Sequence, residues 1–250
     1  MDRNIWTQQI TKDECPPWPC SFCRKGALAI VMDSLTYHET TDSIRAHGHD
    51  EWDPGWISYS FTAWAQCTHP SCKQLFAISG TGGVGMEQVD EHNWDWGDFF
   101  SPQICTPMPD MIVFPNKLPK EILSELRAAF SLFWLNRESC SGRIRVALEC
   151  LMDHLGVPKR RKNKNGKFTE LTLHGRIEVY VTREPLIGSQ LMALKWLGNT
   201  GSHNGSLNAA DLLDAFEILE HALGEIIGRR SARVAELAKT LTKKHAPRKP

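Results

Sequence analysis

The chain has 250 residues and a mass of 28.3 kDa, with 41% apolar side chains, 23% charged ones and a formal net charge of zero. This composition fits a globular protein and excludes collagen, a long coiled coil and a wholly disordered chain. No apolar run reaches about 18 residues, and the N-terminal MDRNIWTQQITKDECPPWP has no apolar signal core, so the expectation is a soluble, cytoplasmic protein with no membrane partner.

The zero net charge hides an asymmetry. Residues 1–110 carry 15 acidic and 6 basic side chains, and residues 111–250 carry 14 acidic and 23 basic. Opposite charge with a change of residue pattern predicts an α+β protein of two domains. Residues 1–110 form a small β-rich domain, and residues 111–250 form an all-α bundle with a basic tail.

In the first part, ALAIVMDSLTYH (27–38), SYSFTAWA (58–65) and QLFAISG (74–80) read as strands. GTGGVG (80–85) lacks both dinucleotide and P-loop spacing, and reads as a hairpin turn or loop. A Trp-rich acidic stretch, EHNWDWGDFFSP, and a Pro-rich linker over 105–119 follow. Trp52, Trp56, Trp94 and Trp96 fit either core positions or a binding surface.

Cysteine spacing carries the clearest chemistry. Cys20 and Cys23 form a C-x2-C pair, and Cys67 and Cys72 a C-x4-C pair. Two such knuckles predict a structural Zn²⁺ held by four thiolates, a closed site without catalysis. Two alternatives remain open: ordinary thiols, or His69 replacing one thiolate. Cys15, Cys105, Cys140 and Cys150 have no knuckle partner, and the last two read as packing residues on a helix.

After Pro119 the apolar period becomes helical. Helices are predicted over about 119–135, 139–155, 170–181, 184–203, 208–227 and 230–244. Lys159, Arg160, Arg161, Lys162, Lys164 and Lys167 occupy a basic loop, and a second basic run follows Gly228. Each is either a solvated surface or a phosphate-facing, nucleic-acid-binding one.

One helix carries a dense polar cluster, LKWLGNTGSH (194–203). Lys195, Asn199 and His203 are spaced i, i+4, i+8, so a continuous helix puts them on one face. A cation, an amide and an imidazole suit phosphodiester cleavage: His203 as acid or base, Lys195 stabilising phosphate charge, Asn199 orienting. The other reading is that Asn199 and His203 satisfy helix ends beside two glycines. Arg145 and Glu149, at i and i+4 on the earlier helix, read as an ion pair, or Glu149 reaches to Lys195 or His203.

Arg145-Val-Ala-Leu-Glu149, a variable loop, Lys195-Trp-Leu-Gly-Asn-Thr-Gly-Ser-His203 and a closing amphipathic helix together resemble the bacterial domain-of-unknown-function 4145 family of HEPN-like bundles. The resemblance covers about 111–227, with a looser likeness over 14–80. It implies a four- to five-helix bundle that pairs as a homodimer. In catalytic HEPN proteins, Arg and His from both protomers form a metal-independent ribonuclease site, as in toxins and phage defence. Carried over, His203 is the acid or base and Asn199 its companion. Lys195 stands where the family usually has Arg and cannot make a bidentate phosphate contact. Its spacing to His203 also exceeds that of the compact Arg-His motif. Two functions are implied: an RNA-acting effector, or a non-catalytic module that binds a protein partner.

Overall fold

The computed structural model describes residues 1–88, 90, 93–200 and 207–246. The chain is α+β, and it divides into two compact units. One comprises Asp2–Met111 with Arg127–Cys140; the other comprises Met1, Ile112–Leu126 and Ser141–Pro250.

The first unit is built on an antiparallel sheet of β1 (Leu28–Ile30), β2 (Thr36–Glu39), β3 (Ser58–Cys67), β4 (Leu75–Gln88) and β5 (Trp94–Thr106). Strands β3, β4 and β5 are consecutive neighbours, while β1 and β2 pair with different halves of β3. A short helix α1 (Thr41–Ala46) follows β2, its first turn capped by the Thr40 side chain. Along β3 the alternation is clean: Phe61, Ala63, Ala65 and Cys67 are buried, and Ser60, Thr62 and Trp64 face water. Phe76 and Ile78 of β4 and Phe100 of β5 continue the inner face.

The glycine-rich segment is not the turn its composition predicts. GTGGVG lies inside β4, which runs on to Gln88. None of its glycines has positive φ; the demand is for space. A Cβ on Gly80 would lie 2.2 Å from the Ser101 carbonyl oxygen and 2.9 Å from Phe61, at the irregularity where β4 shifts register against β5.

A cluster of three indoles closes this unit. Trp6 and Trp18 stack with centroids 6.5 Å apart, and Trp134 lies 5.1 Å from Trp18. Two of the indole N–H groups find carbonyl partners: Trp18 Nε1 donates to the Ile5 carbonyl (2.7 Å), and Trp134 Nε1 to the Trp6 carbonyl (3.0 Å). Asp110, buried, accepts two bonds from Arg127 (3.0 and 3.2 Å) and one from Arg24 (3.3 Å).

The helices are α2 (Lys120–Leu132), α3 (Arg137–His154), α4 (Leu173–Val181), α5 (Pro185–Thr200), α6 (Ala209–Ile226) and α7 (Arg230–His245). In three of them the buried apolar residues recur at helical spacing. Ile122 and Leu126 of α2, Ile144, Leu148 and Leu151 of α3, and Leu212, Phe216, Leu219 and Leu223 of α6 are buried. Asn208 and Asp211 form a capping box at the start of α6.

The basic segment after α3 is a small hairpin, not a loop: β6 (Arg160–Lys162) pairs with β7 (Phe168–Glu170). Asn163 Oδ1 accepts from the N–H groups of Asn165 and Lys167, and Gly166 takes φ +75°. Asp153 of α3 anchors both the approach to this hairpin and α4, accepting from Lys159 (2.9 Å) and from nearly buried Arg176 (2.6 Å). Arg176 also donates to the Val157 carbonyl at 3.0 Å. The Lys159 ammonium, with Arg176, holds the Asp153 carboxyl below its ordinary pKa. Its contribution to stability is therefore present above the unfolded pKa and fades as pH falls through the lowered folded value. Asp153→Asn is expected to cost ~2 kcal/mol in urea denaturation, because Arg176 keeps only a carbonyl partner. A loss below ~0.5 kcal/mol would show the pair to be energetically idle.

Candidate functional site

The two knuckles converge. The Sγ atoms of Cys20, Cys23, Cys67 and Cys72 all lie within 4.8 Å of one another. Cys20 and Cys72 sulfurs are 3.8 Å apart, and those of Cys23 and Cys67 3.6 Å. A tetrahedral ion with metal–sulfur bonds of about 2.3 Å separates its sulfurs by roughly 3.8 Å. The four thiols thus have the spacing of a metal site.

The local backbone explains how. Each knuckle ends on a left-handed residue directly after its second cysteine: Arg24 (φ 54°) and Lys73 (φ 53°). That turn folds the chain back, so that Lys25 N–H donates to Cys23 Sγ at 3.4 Å. In the second knuckle His69 N–H donates to Cys67 Sγ, also at 3.4 Å. Gly26 lets the knuckles meet, since a Cβ there would stand 2.7 Å from Cys67 Sγ. Donated N–H bonds favour thiolate, and burial opposes it. The Lys25 N–H pulls the Cys23 thiol down to about 6, while burial pushes Cys67 up to about 12. His69 Nδ1 is buried without a hydrogen-bond partner among the described residues, but the ring supplies no atom to the four-sulfur cluster. Cys15, Cys105, Cys140 and Cys150 are free thiols outside the cluster. Burial pushes Cys105 and Cys140 up to about 12, as for inert packing residues.

In the second unit, Lys195 and Asn199 of the polar cluster singled out in the sequence lie in the last turns of α5. Lys195 is buried, with Nζ 3.4 Å from the centroid of the Trp196 ring. Asn199 is half-buried, and its Oδ1 accepts from Arg145 Nη1 across to α3. Arg145 also pairs with Glu149 at 3.6 Å, so the ion pair along α3 is present and Glu149 turns to Arg145. No hydrogen bond joins Lys195 to Asn199 among the described residues. His203 lies outside the described residues.

Gly198 is what brings α3 and α5 into contact. A Cβ on it would sit 3.1 Å from Arg145 Cβ and 3.3 Å from the Ser141 carbonyl oxygen. The glycine therefore serves a close helix approach, and the approach places Asn199 against Arg145. Spacing along the chain shows Arg145 only in its pairing with Glu149 on one helix, and gives no sign of this cross-helix bond.

The basic hairpin is partly neutralised. Arg160 bonds Glu170 (2.9 and 3.1 Å) and Lys159 bonds Asp153. Lys162 lies 5.4 Å from the Phe168 ring centroid. Arg161, Lys164 and Lys167 are exposed and form no ion pair among the described residues. Of the tryptophans singled out in the acidic part, Trp56, Trp94 and Trp96 are exposed and Trp52 is half-buried; Trp6 and Trp18, outside that set, are buried.

Residues 127–244 match the model of a family described as a domain of unknown function (DUF4145). Residues 8–105 match a second, also described as a domain of unknown function (DUF8608). All four clustered cysteines fall within the DUF8608 match, and Arg145, Lys195 and Asn199 within the DUF4145 match. Neither match reaches half of the chain. No curated protein and no solved structure matches it. No helix among the described residues is long and apolar enough to cross a membrane.

Proposed function

We propose that the helical part acts on RNA as a HEPN-like, metal-independent endoribonuclease, and that the first unit is a zinc-stabilised module attached to it. The observation that carries the reading is the Arg145–Asn199 bond, which ties the two family-like motifs into one polar spot at the end of α5. Exposed Arg161, Lys164 and Lys167 on the hairpin supply cations for the phosphate backbone. The donor set of the first unit, four sulfurs and no oxygen, suits Zn²⁺ and leaves no open position for catalysis.

In this mechanism His203 removes the proton of a ribose 2′-hydroxyl, and the 2′-oxygen attacks phosphorus. The 5′-oxygen leaves and takes up a proton, giving a 2′,3′-cyclic phosphate and a 5′-hydroxyl. Arg145, oriented by Asn199, stabilises the phosphate charge, a role that Lys195 over Trp196 is poorly placed to fill. A homodimer presents two such spots to one RNA.

Zinc-loaded protein freed of other divalent ions is incubated with mixed cellular RNA. Expected is cleavage by the wild type and a loss of ~100-fold or more in His203→Ala, with the melting temperature unchanged. A second reading, a protein-binding module, draws on the exposed Trp56, Trp94 and Trp96. No cleavage by folded wild type moves the assignment there.

A further inference from the structure

At the end of α6 the chain breaks at Ile227 and Gly228, and Arg229 takes a left-handed conformation (φ 50°) before α7 begins. The break places Arg229, Arg230 and Arg233 along an open cleft of about 610 Å³, with Lys117 from the segment preceding α2. Val113 and Ile227 supply an apolar wall. These four cations differ from the other basic residues of the helical unit that lie near carboxylates. Arg143, Arg145, Arg160 and Arg176 each have an acidic partner. Among the described residues Arg229, Arg230, Arg233 and Lys117 have no ion pair. The carboxylate lining the cleft, Glu220, lies 3.3 Å from the Met1 amine.

Four positive charges that have no ion pair among the described residues line one cavity and create a potential that an anion of similar charge relieves. The first turn of α7 adds N–H groups without intrahelical acceptors. One of them, Ser231 N–H, is taken by Glu225 Oε2 at 3.2 Å. The volume lies within the range of small-molecule sites, about 300–1,000 Å³, and is too small for a helical duplex. Guanidinium groups bind phosphate oxygens in pairs, and an apolar wall beside them suits a planar base.

We propose that this cleft binds a free nucleoside polyphosphate. The guanidinium groups of Arg229, Arg230 and Arg233 engage the phosphates, Lys117 adds a fourth cation, and Val113 and Ile227 meet the base. The site is separate from the Arg145–Asn199 spot and does not depend on the RNA-cleaving reading. A 5′-triphosphate end of RNA offers the same phosphate chemistry, so the probes must separate the two sources.

The experiment is titration calorimetry on the full, metal-loaded chain with ATP, inorganic triphosphate, and a short RNA with and without a 5′-triphosphate. Expected is binding of ATP more tightly than of inorganic triphosphate, weakened roughly ten-fold or more in the Arg230→Ala/Arg233→Ala double variant. Arg161→Ala in the hairpin should leave ATP binding unchanged. Both arginines of the double variant are exposed on α7, and circular dichroism checks that the fold is retained. No ATP binding by the wild type overturns the proposal, as does equal binding by the double variant. Binding of the 5′-triphosphate RNA with no binding of ATP overturns the free-nucleotide assignment. RNA cleavage by His203→Ala and wild type is scored apart from all of these, so failure of either reading leaves the other standing.

Discussion

Cys67→Ser is expected to abolish metal binding and unfold the first unit. Wild-type protein should carry one zinc per chain by elemental analysis, and the variant none. Apparent zinc-binding energies in small four-ligand modules are about 10–16 kcal/mol, as large as the whole stability of an ordinary domain, about 5–15 kcal/mol. Among the four thiols, Cys67 is chosen because it is tied directly to the sheet. It is buried at the end of β3, pairs with Leu28 of β1 in the sheet register, and meets the close approach of Gly26. Metal loss at this position thus exposes the joint between the knuckles and the sheet. Near-ultraviolet circular dichroism, dominated by the tryptophans of this unit, reports the loss directly. Wild-type protein without zinc, and a variant with unchanged melting, would make the four thiols ordinary packing residues.

Trp18→Ala is expected to cost ~4 kcal/mol, the range for emptying an aromatic core position. Trp18 is 0% exposed, touches Trp6 and Trp134, and gives up the Nε1 bond to the Ile5 carbonyl when truncated. The control is Trp94→Ala. That indole is 58% exposed at the start of β5, and its loss should stay within ~0.5 kcal/mol. Urea denaturation distinguishes them by midpoint at constant slope. Equal effects at the two positions would contradict the division into core and surface indoles.

Core and surface indoles look alike in the sequence, whereas other features are plain there. Helices α2, α3 and α6 are legible because an apolar stripe at 3.6-residue spacing is a local signal, and the buried residues are those of the stripe. The knuckles are legible for the same reason: each pair of sulfurs is set by a turn a few residues long. Strand β4 is not, because glycine usually marks a turn, whereas here Gly80 answers to Ser101 on a neighbouring strand. The tryptophans cannot be sorted, since Trp18 owes its burial to residues over a hundred positions away in Trp134. The same non-locality hides the bond from Arg145 to Asn199, which exists because Gly198 allows two helices to touch. Local periodicity gives elements and short-range ligands; partners chosen by tertiary approach leave no spacing to read.

The chain leaves the first unit at Met111 and returns to it from Arg127 to Cys140. The DUF4145 match begins at that same Arg127. Fourteen residues at the start of the DUF4145 match thus complete the interior of the unit that holds the DUF8608 match, bringing Trp134 to the indole cluster and Arg127 to Asp110. A cut between the two matched stretches therefore does not separate two self-sufficient modules. Residues 127–244 without the rest of the chain would carry an unhoused indole in Trp134 and an unmatched guanidinium in Arg127. Residues 8–105, left without them, would have a vacancy in their core. Neither matched stretch is therefore expected to fold fully when expressed without the other.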